Sequence, residues 1–118
     1  MMTNISLTIK DKTYHASLLD NAATQKLLTL LPLTISMSDL HHNEKYHTLD
    51  TSLPTQHEAV ETIQSGDLML YGSDTIVLFY ESFSTPYTYT RLGHLIDDHN
   101  LRETLGHSDV TVTIAQAE

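Results

Sequence analysis

Residues 66–95 read GDLMLYGSDTIVLFYESFSTPYTYTRLGHL, three strand-like segments in immediate succession. Residues 67–71 and 75–80 are short and almost wholly apolar, and Gly72-Ser73-Asp74 between them has the composition of a hairpin turn. Residues 82–86 form the next turn, after which residues 87–95 alternate apolar and polar. Strands of near-continuous Leu, Val, Ile and Phe lack the polar face of an open sheet and leave edges that little here would guard. A small closed barrel is the expected architecture.

The remaining chain supplies the other walls. Ile5, Leu7 and Ile9 alternate with polar neighbours, Asp11-Lys12 makes a turn, and Tyr14, Ala16 and Leu18 complete a hairpin. The period then changes, with Ala23, Leu27, Leu30 and Leu31 on one helical face, Asp20-Asn21 as N-cap and Pro32 as the stop. Leu33, Ile35 and Met37 begin another strand. Residues 39–65 are polar and long, with a short strand expected near residues 45–48 and a loose flap after it. Asn100-x-x-Glu103 reads as a capping box for a brief second helix ended by Gly106, and Val110, Val112 and Ile114 form the last strand. Seven or eight strands and two helices that plug the barrel ends are expected, in one domain over residues 1–118.

Composition narrows the function classes. The chain has no cysteine, which excludes disulfides, thiolate metal sites and cysteine nucleophiles and suits a reducing, cytoplasmic setting. The N-terminal residues show no basic segment followed by an apolar core, so no signal peptide is expected, and no apolar run is long enough to span a bilayer. Fifteen acidic residues against six basic ones give a formal charge of −9, which disfavours nucleic acid and anionic membrane as partners. Protonation of the eight histidines under mild acid would cancel most of that charge, and solubility is expected to fall there.

The segments LPLTISMSDL (31–40), NEKYH (43–47), GDLMLYGS (66–73) and SFSTPYTYTRLG (82–93), in that order, resemble the recurring blocks of the bacterial cyclophilin-like fold proteins. These are small stand-alone domains, mostly without an assigned activity. The resemblance covers nearly the whole chain and implies an eight-stranded antiparallel barrel capped by two short helices. True cyclophilins, which are peptidyl-prolyl cis-trans isomerases, carry a Phe-His-Arg block whose arginine holds the substrate carbonyl beside an aromatic pocket. This chain has no Phe-His-Arg and no tryptophan, and Gln64-Ser65-Gly66-Asp67 is only a short echo of their Gln-Gly-Gly-Asp. A fold does not carry an activity with it.

Arg91 shares strand parity with Tyr87, Tyr89, Gly93 and Leu95. Its fork of donors suits a carbonyl, carboxylate or phosphate; alternatively, it lies at the barrel rim, stacked on a tyrosine and paired with an acid. Tyr46, Tyr71, Phe83 and Tyr89 are candidate walls of an apolar groove with polar tips, or else ordinary core and rim filler. His41, His42, His47 and His57 invite a metal reading, but their spacing fits neither a strand nor a helix ligand pair, and a histidine-rich surface loop is the better account. No nucleophile elbow or glycine-rich phosphate cradle is present. The expected function is binding of a small molecule or peptide near Arg91, between the strand of residues 87–95 and the flap of residues 39–65, with no cofactor. The alternatives are a divergent prolyl isomerase and an interaction module working through the histidine-rich loop or by oligomerising.

Overall fold

The structure, a computed structural model, describes residues 3–117; Met1, Met2 and Glu118 of the expected domain lie outside the described residues. The first hairpin joins β1 (Thr3–Ile9) to β2 (Lys12–Leu18), with Leu7 opposite Tyr14 and Ile9 opposite Lys12. Its turn is Lys10-Asp11, one residue earlier than expected, and Lys10 adopts a φ of 58°. Helix α1 (Ala22–Leu30) starts in a capping box: the Thr24 amide donates to Asn21 Oδ1 at 2.9 Å and the Asn21 amide donates to Thr24 Oγ1 at 3.1 Å. Ala23, Thr24 and Leu27 form its buried face.

The chain continues through β3 (Leu33–Leu40), β4 (Glu44–Thr48), β5 (Glu58–Ala59), β6 (Thr62–Ile63), β7 (Asp67–Tyr71), β8 (Thr75–Phe79), β9 (Phe83–Ser84) and β10 (Thr88–Leu95). Helix α2 (Leu101–Leu105) and β11 (Val110–Gln116) complete it. Eight strands run in the order β2-β1-β11-β3-β4-β8-β7-β10, every pairing is antiparallel, and β10 returns to β2 to close the barrel. The short strands β6 and β9 pair with each other outside it.

Two apolar clusters account for the unbroken apolar character of β7 and β8. Leu68, Leu70, Ile76 and Leu78 point into the barrel with Ile5, Leu7, Val112 and Ile114. Their alternating neighbours Met69, Val77 and Phe79 pack outside, against Val60, Ile63 and Tyr89. The expected loose flap is therefore a tied cover: Leu53 and Ile63 are buried, and the Leu49 and Leu53 amides donate to the carbonyls of Asp74 and Ser73, each at 2.7 Å. Burial on both faces, and not barrel closure alone, is why these strands lack a polar face.

One edge of β10 is shared. Thr88 and Tyr89 pair with β5, while Gly93–Leu95 pair with β2. Between them the Asn21 side-chain amide donates to the Arg91 carbonyl at 2.9 Å, and the Leu19 amide donates to the Leu92 carbonyl at 2.8 Å. A bulge between Arg91 and Gly93 shifts the register against β7 and reverses the alternation beyond it, so Leu95, which plain period two places on the Arg91 face, is buried in the barrel with Leu92. At the other end of the barrel, the capping box expected for α2 does not form. Asn100 takes a left-handed φ of 57° and its side chain makes no cap hydrogen bond, a conformation asparagine tolerates better than most residues.

Closure depends on Gly93. A Cβ there would overlap the Ser17 carbonyl oxygen and lie 2.9 Å from Leu18 Cα, both rigid backbone. Gly93→Ala is expected to cost at least about 3 kcal/mol by overpacking. Urea unfolding reads the cost, and amide exchange should show Leu19 losing protection before the amides of β1 and β11.

Candidate functional site

Period-two geometry assembles a cleft on the outer face of the barrel wall. Glu44, Tyr46 and Thr48 alternate along β4 and oppose Phe79, Val77 and Thr75 of β8; Val77 and Thr75 in turn oppose Met69 and Tyr71 of β7. The strands thus lay an acid, a band of apolar and aromatic groups and a rim of hydroxyls in successive rows. The connection through β9 and the start of β10 adds Phe83, Thr85, Tyr87 and Tyr89, and the β3–β4 turn adds His41 and Asn43. Together they surround about 440 Å³ of open space. That size suits a small organic ligand or one amino-acid side chain.

The rings form a connected chain. Tyr71 meets Tyr87 edge-on at 6.1 Å and Tyr89 at 5.7 Å, and Phe79 meets Tyr89 at 5.7 Å and Phe83 at 5.6 Å. Tyr89 and Phe79 are buried, whereas Tyr71 and Tyr87 are 47% and 57% exposed. Fixed rings at the base and open rings at the mouth make a surface an apolar body can enter without unfolding anything.

Four of the expected wall residues, Tyr46, Tyr71, Phe83 and Tyr89, therefore lie in one cleft. Arg91 does not line it. Its Nε donates to Glu58 Oε1 at 2.7 Å, and it sits in a separate polar recess with Asn21, Gln56 and Thr90. Strand β5 places Glu58 opposite Tyr89, within reach of the guanidinium, and this supplies the acid that the arginine pairs with. Of residues 39–65, expected to form the opposite wall, the part from Leu40 to Thr48 does line the cleft, whereas residues 49–65 cover the two apolar clusters, with Leu49 and Leu53 on the first and Val60 and Ile63 on the second. Among the described residues no group of His, Asp and Glu is arranged to hold a metal ion. His41 and His42 form the β3–β4 turn, both with a φ of 55°, and the His42 ring stacks on His107 at 4.1 Å.

The charge in the cleft is Glu44. No described basic side chain pairs with it, and burial, aided by the nearby Asp39 carboxylate, pushes its pKa up to about 7. Glu44 in turn acts on Tyr89, whose hydroxyl is held above its ordinary range by burial first and by the Glu44 charge second. The cleft can thus hold or release a proton near neutrality. Period two was the signal for Glu44, since it precedes the wall residue Tyr46 by two positions on one strand.

The same alternation turns Lys45 inward, where it is fully buried. Its Nζ donates to Asp39 Oδ1 at 3.1 Å and also to the Ser108 carbonyl, and Tyr80 donates its hydroxyl to the same Asp39 oxygen. Burial opposes ionisation of Asp39, but the hydrogen bonds from Tyr80, Lys45 and the His42 amide, with the Lys45 charge, outweigh it and hold the carboxyl below its usual range. Burial and the bond to Asp39 hold the Tyr80 hydroxyl well above its own. Asp39→Asn is expected to cost about 3–5 kcal/mol in urea unfolding, because it strands a buried ammonium. Lys45→Met should cost less, since Asp39 keeps its bonds from Tyr80 and His42.

Glu44 works the other way. Below its ordinary value of 4.5 both folded and unfolded chains are protonated; as pH rises toward 7 only the unfolded chain ionises, so stability is withdrawn. Glu44→Gln is therefore expected to leave stability unchanged near pH 4 and to raise it near pH 8. The shift alone corresponds to roughly 3 kcal/mol, which water on the open side of the carboxyl reduces to about 1–2 kcal/mol. Urea midpoints at the two pH values measure the difference.

Comparison with curated proteins finds no match. Among solved structures the chain is similar to the hypothetical protein AF2241 from Archaeoglobus fulgidus, with a TM-score of 0.72 over 98% of this chain and 95% of that one. At 14% identity that likeness concerns the fold. The sequence profile of the cyclophilin-like family matches residues 7–115, which take in nearly all of the described barrel, and the chain belongs to that family.

Proposed function

We propose that this protein is a binding barrel whose outer cleft takes an aromatic or apolar group of a small molecule or a peptide. The observation that carries the reading is the chain of rings Tyr87, Tyr71, Tyr89 and Phe83, joined behind by the buried Phe79 and bordering about 440 Å³ of open space. Half-exposed rings around an accessible hollow are a standing surface for an apolar ligand. The tight cover of residues 49–65 and the buried cluster beneath it hold that surface in place. The net charge of −9 argues against nucleic acid and anionic lipid as partners, and the absence of cysteine suits a cytoplasmic setting.

A prolyl isomerase would need a donor beside the apolar wall to grip the carbonyl of a twisted amide. Arg91 is engaged with Glu58 in another recess, so the binding reading is better supported than the catalytic one. A protease-coupled assay on proline peptides is expected to show only spontaneous isomerisation, on a scale of roughly tens to hundreds of seconds; a clear acceleration would restore the isomerase reading.

Titration with indole, followed by amide chemical shifts, tests the site. Shifts are expected at Tyr46, Tyr71, Phe83 and Tyr89 and not at Arg91. Tyr71→Ala should weaken binding by about five-fold or more, while Arg91→Ala leaves it unchanged. Shifts centred on Arg91, Gln56 and Asn21 would move the site to the other recess.

A further inference from the structure

Glu44 is an unusual occupant for a cleft that only has to hold an apolar body. Its carboxyl is part-buried in the cleft that Tyr46, Phe83 and Tyr89 also line, and it has no ion-pair partner among the described residues. Beside it Asn43 also lines the cleft, and its side-chain oxygen is buried without a hydrogen-bond partner. No lysine or arginine lines the cleft, and the neighbouring Lys45 points into the barrel, where Asp39 and the Ser108 carbonyl take its protons. The cleft therefore offers a carboxylate and an unsatisfied amide oxygen with no lysine or arginine to match them, and aromatic faces that carry negative potential. An anion would meet Glu44 with nothing to offset it. A neutral ligand would leave the carboxylate dry and unpaired. A cation with N–H donors resolves both problems, and a chain of net charge −9 draws it in.

We propose that the cleft selects an organic ammonium group, borne by a small amine or by a lysine side chain, with Glu44 facing the charge and the tyrosine rings enclosing the adjoining carbons. This rests on the binding reading given above. Three N–H donors on a compact head suit the Glu44 carboxylate and the Asn43 oxygen better than a bulky quaternary ammonium, which has no proton to donate.

Titration of Glu44 gives the site a pH dependence. The groups around it are Asp39 on β3, His41 in the β3–β4 turn, Tyr46 on its own strand, Tyr71 on β7, and Tyr87 and Tyr89 at the start of β10. Over the range in which Glu44 ionises, Asp39, held below the usual carboxylate range by its hydrogen bonds and by Lys45, stays charged.

The test is calorimetric titration of the full chain with 2-phenylethylammonium, the uncharged 2-phenylethanol and the anionic 3-phenylpropionate. At about pH 8 the ammonium is expected to bind at least ten-fold more tightly than the alcohol, with the anion weakest. Between about pH 8 and pH 6 its affinity should fall about ten-fold, as Glu44 takes up a proton, while that of the alcohol does not fall. Glu44→Gln, which removes a strained charge and is expected to fold, should abolish the preference and flatten the profile. A variant that keeps the full slope would overturn the role given to Glu44.

If the alcohol binds as tightly as the ammonium, the cation proposal fails and the apolar cleft stands. If none of the three binds, both readings fail. A lysine-containing hexapeptide compared with its norleucine counterpart settles the source of the ammonium. A lysine peptide tighter than the free amine assigns it to a polypeptide, the reverse assigns it to a small amine, and a norleucine peptide equal to the lysine one overturns the proposal.

Discussion

The structure turns on the close approach of β10 to β2 at Gly93. A glycine is needed there because the Ser17 carbonyl and Leu18 Cα occupy the space a side chain would take. That contact closes the barrel and, through the bulge above it, sets which residues of β10 face inward. Leu95 joins Leu92 in the core, while Tyr89, before the bulge, lies in the outer cluster beside Phe79. The same edge, no longer bound to β2, is free higher up to pair with β5, which brings Glu58 to Arg91. One missing methyl group thus governs closure, the base of the aromatic cleft and the fate of the lone arginine on that strand.

The wall opposite is held by a buried charge. Lys45, fully enclosed, is tied to Asp39 and Ser108, and Tyr80 shares the same carboxylate. Such a pair is costly to bury but far costlier to break, so it locks the β3–β4 hairpin in one register. Register in turn decides the face on which every second residue lies. With Lys45 inside, Glu44 and Tyr46 must be outside, facing the cleft. The Asp39 charge that holds Lys45 is also the one that discourages ionisation of Glu44. Core and cleft are therefore coupled through a single carboxylate, one side using it as a partner and the other feeling it as repulsion.

Much of this was legible in the sequence, because alternation is a direct record of the two faces of a strand. The hairpin of β1 and β2 and the strand β11 follow from it, while the Asn21 cap of α1 follows from the change of period after β2, the strands β7 and β8 from short apolar runs between turn residues, and the grouping of Tyr46, Tyr71, Phe83 and Tyr89 from their residue type. Arg91 was misplaced because parity counted along β10 takes no account of which acid a neighbouring segment delivers, and Glu58 lies far away in the chain. The cover of residues 49–65 was hidden for a similar reason. It is held by long-range amide bonds to the β7–β8 turn and by a few isolated apolar residues, Leu53, Val60 and Ile63, which leave no periodic trace. Asn100-x-x-Glu103 looked like a cap, but caps are decided by the backbone angle of their first residue, which tertiary packing sets.

An unpaired, part-buried Glu44 gives the aromatic cleft its chemistry. A carboxyl carbon-13 titration of Glu44, with and without 2-phenylethylammonium, reads this at the atom concerned. The expected midpoint is about 7 in the free protein, and binding of the amine should move it down, since ligand and proton compete for the same oxygens. A midpoint at the ordinary glutamate value of 4.5 that the amine leaves in place would contradict the account.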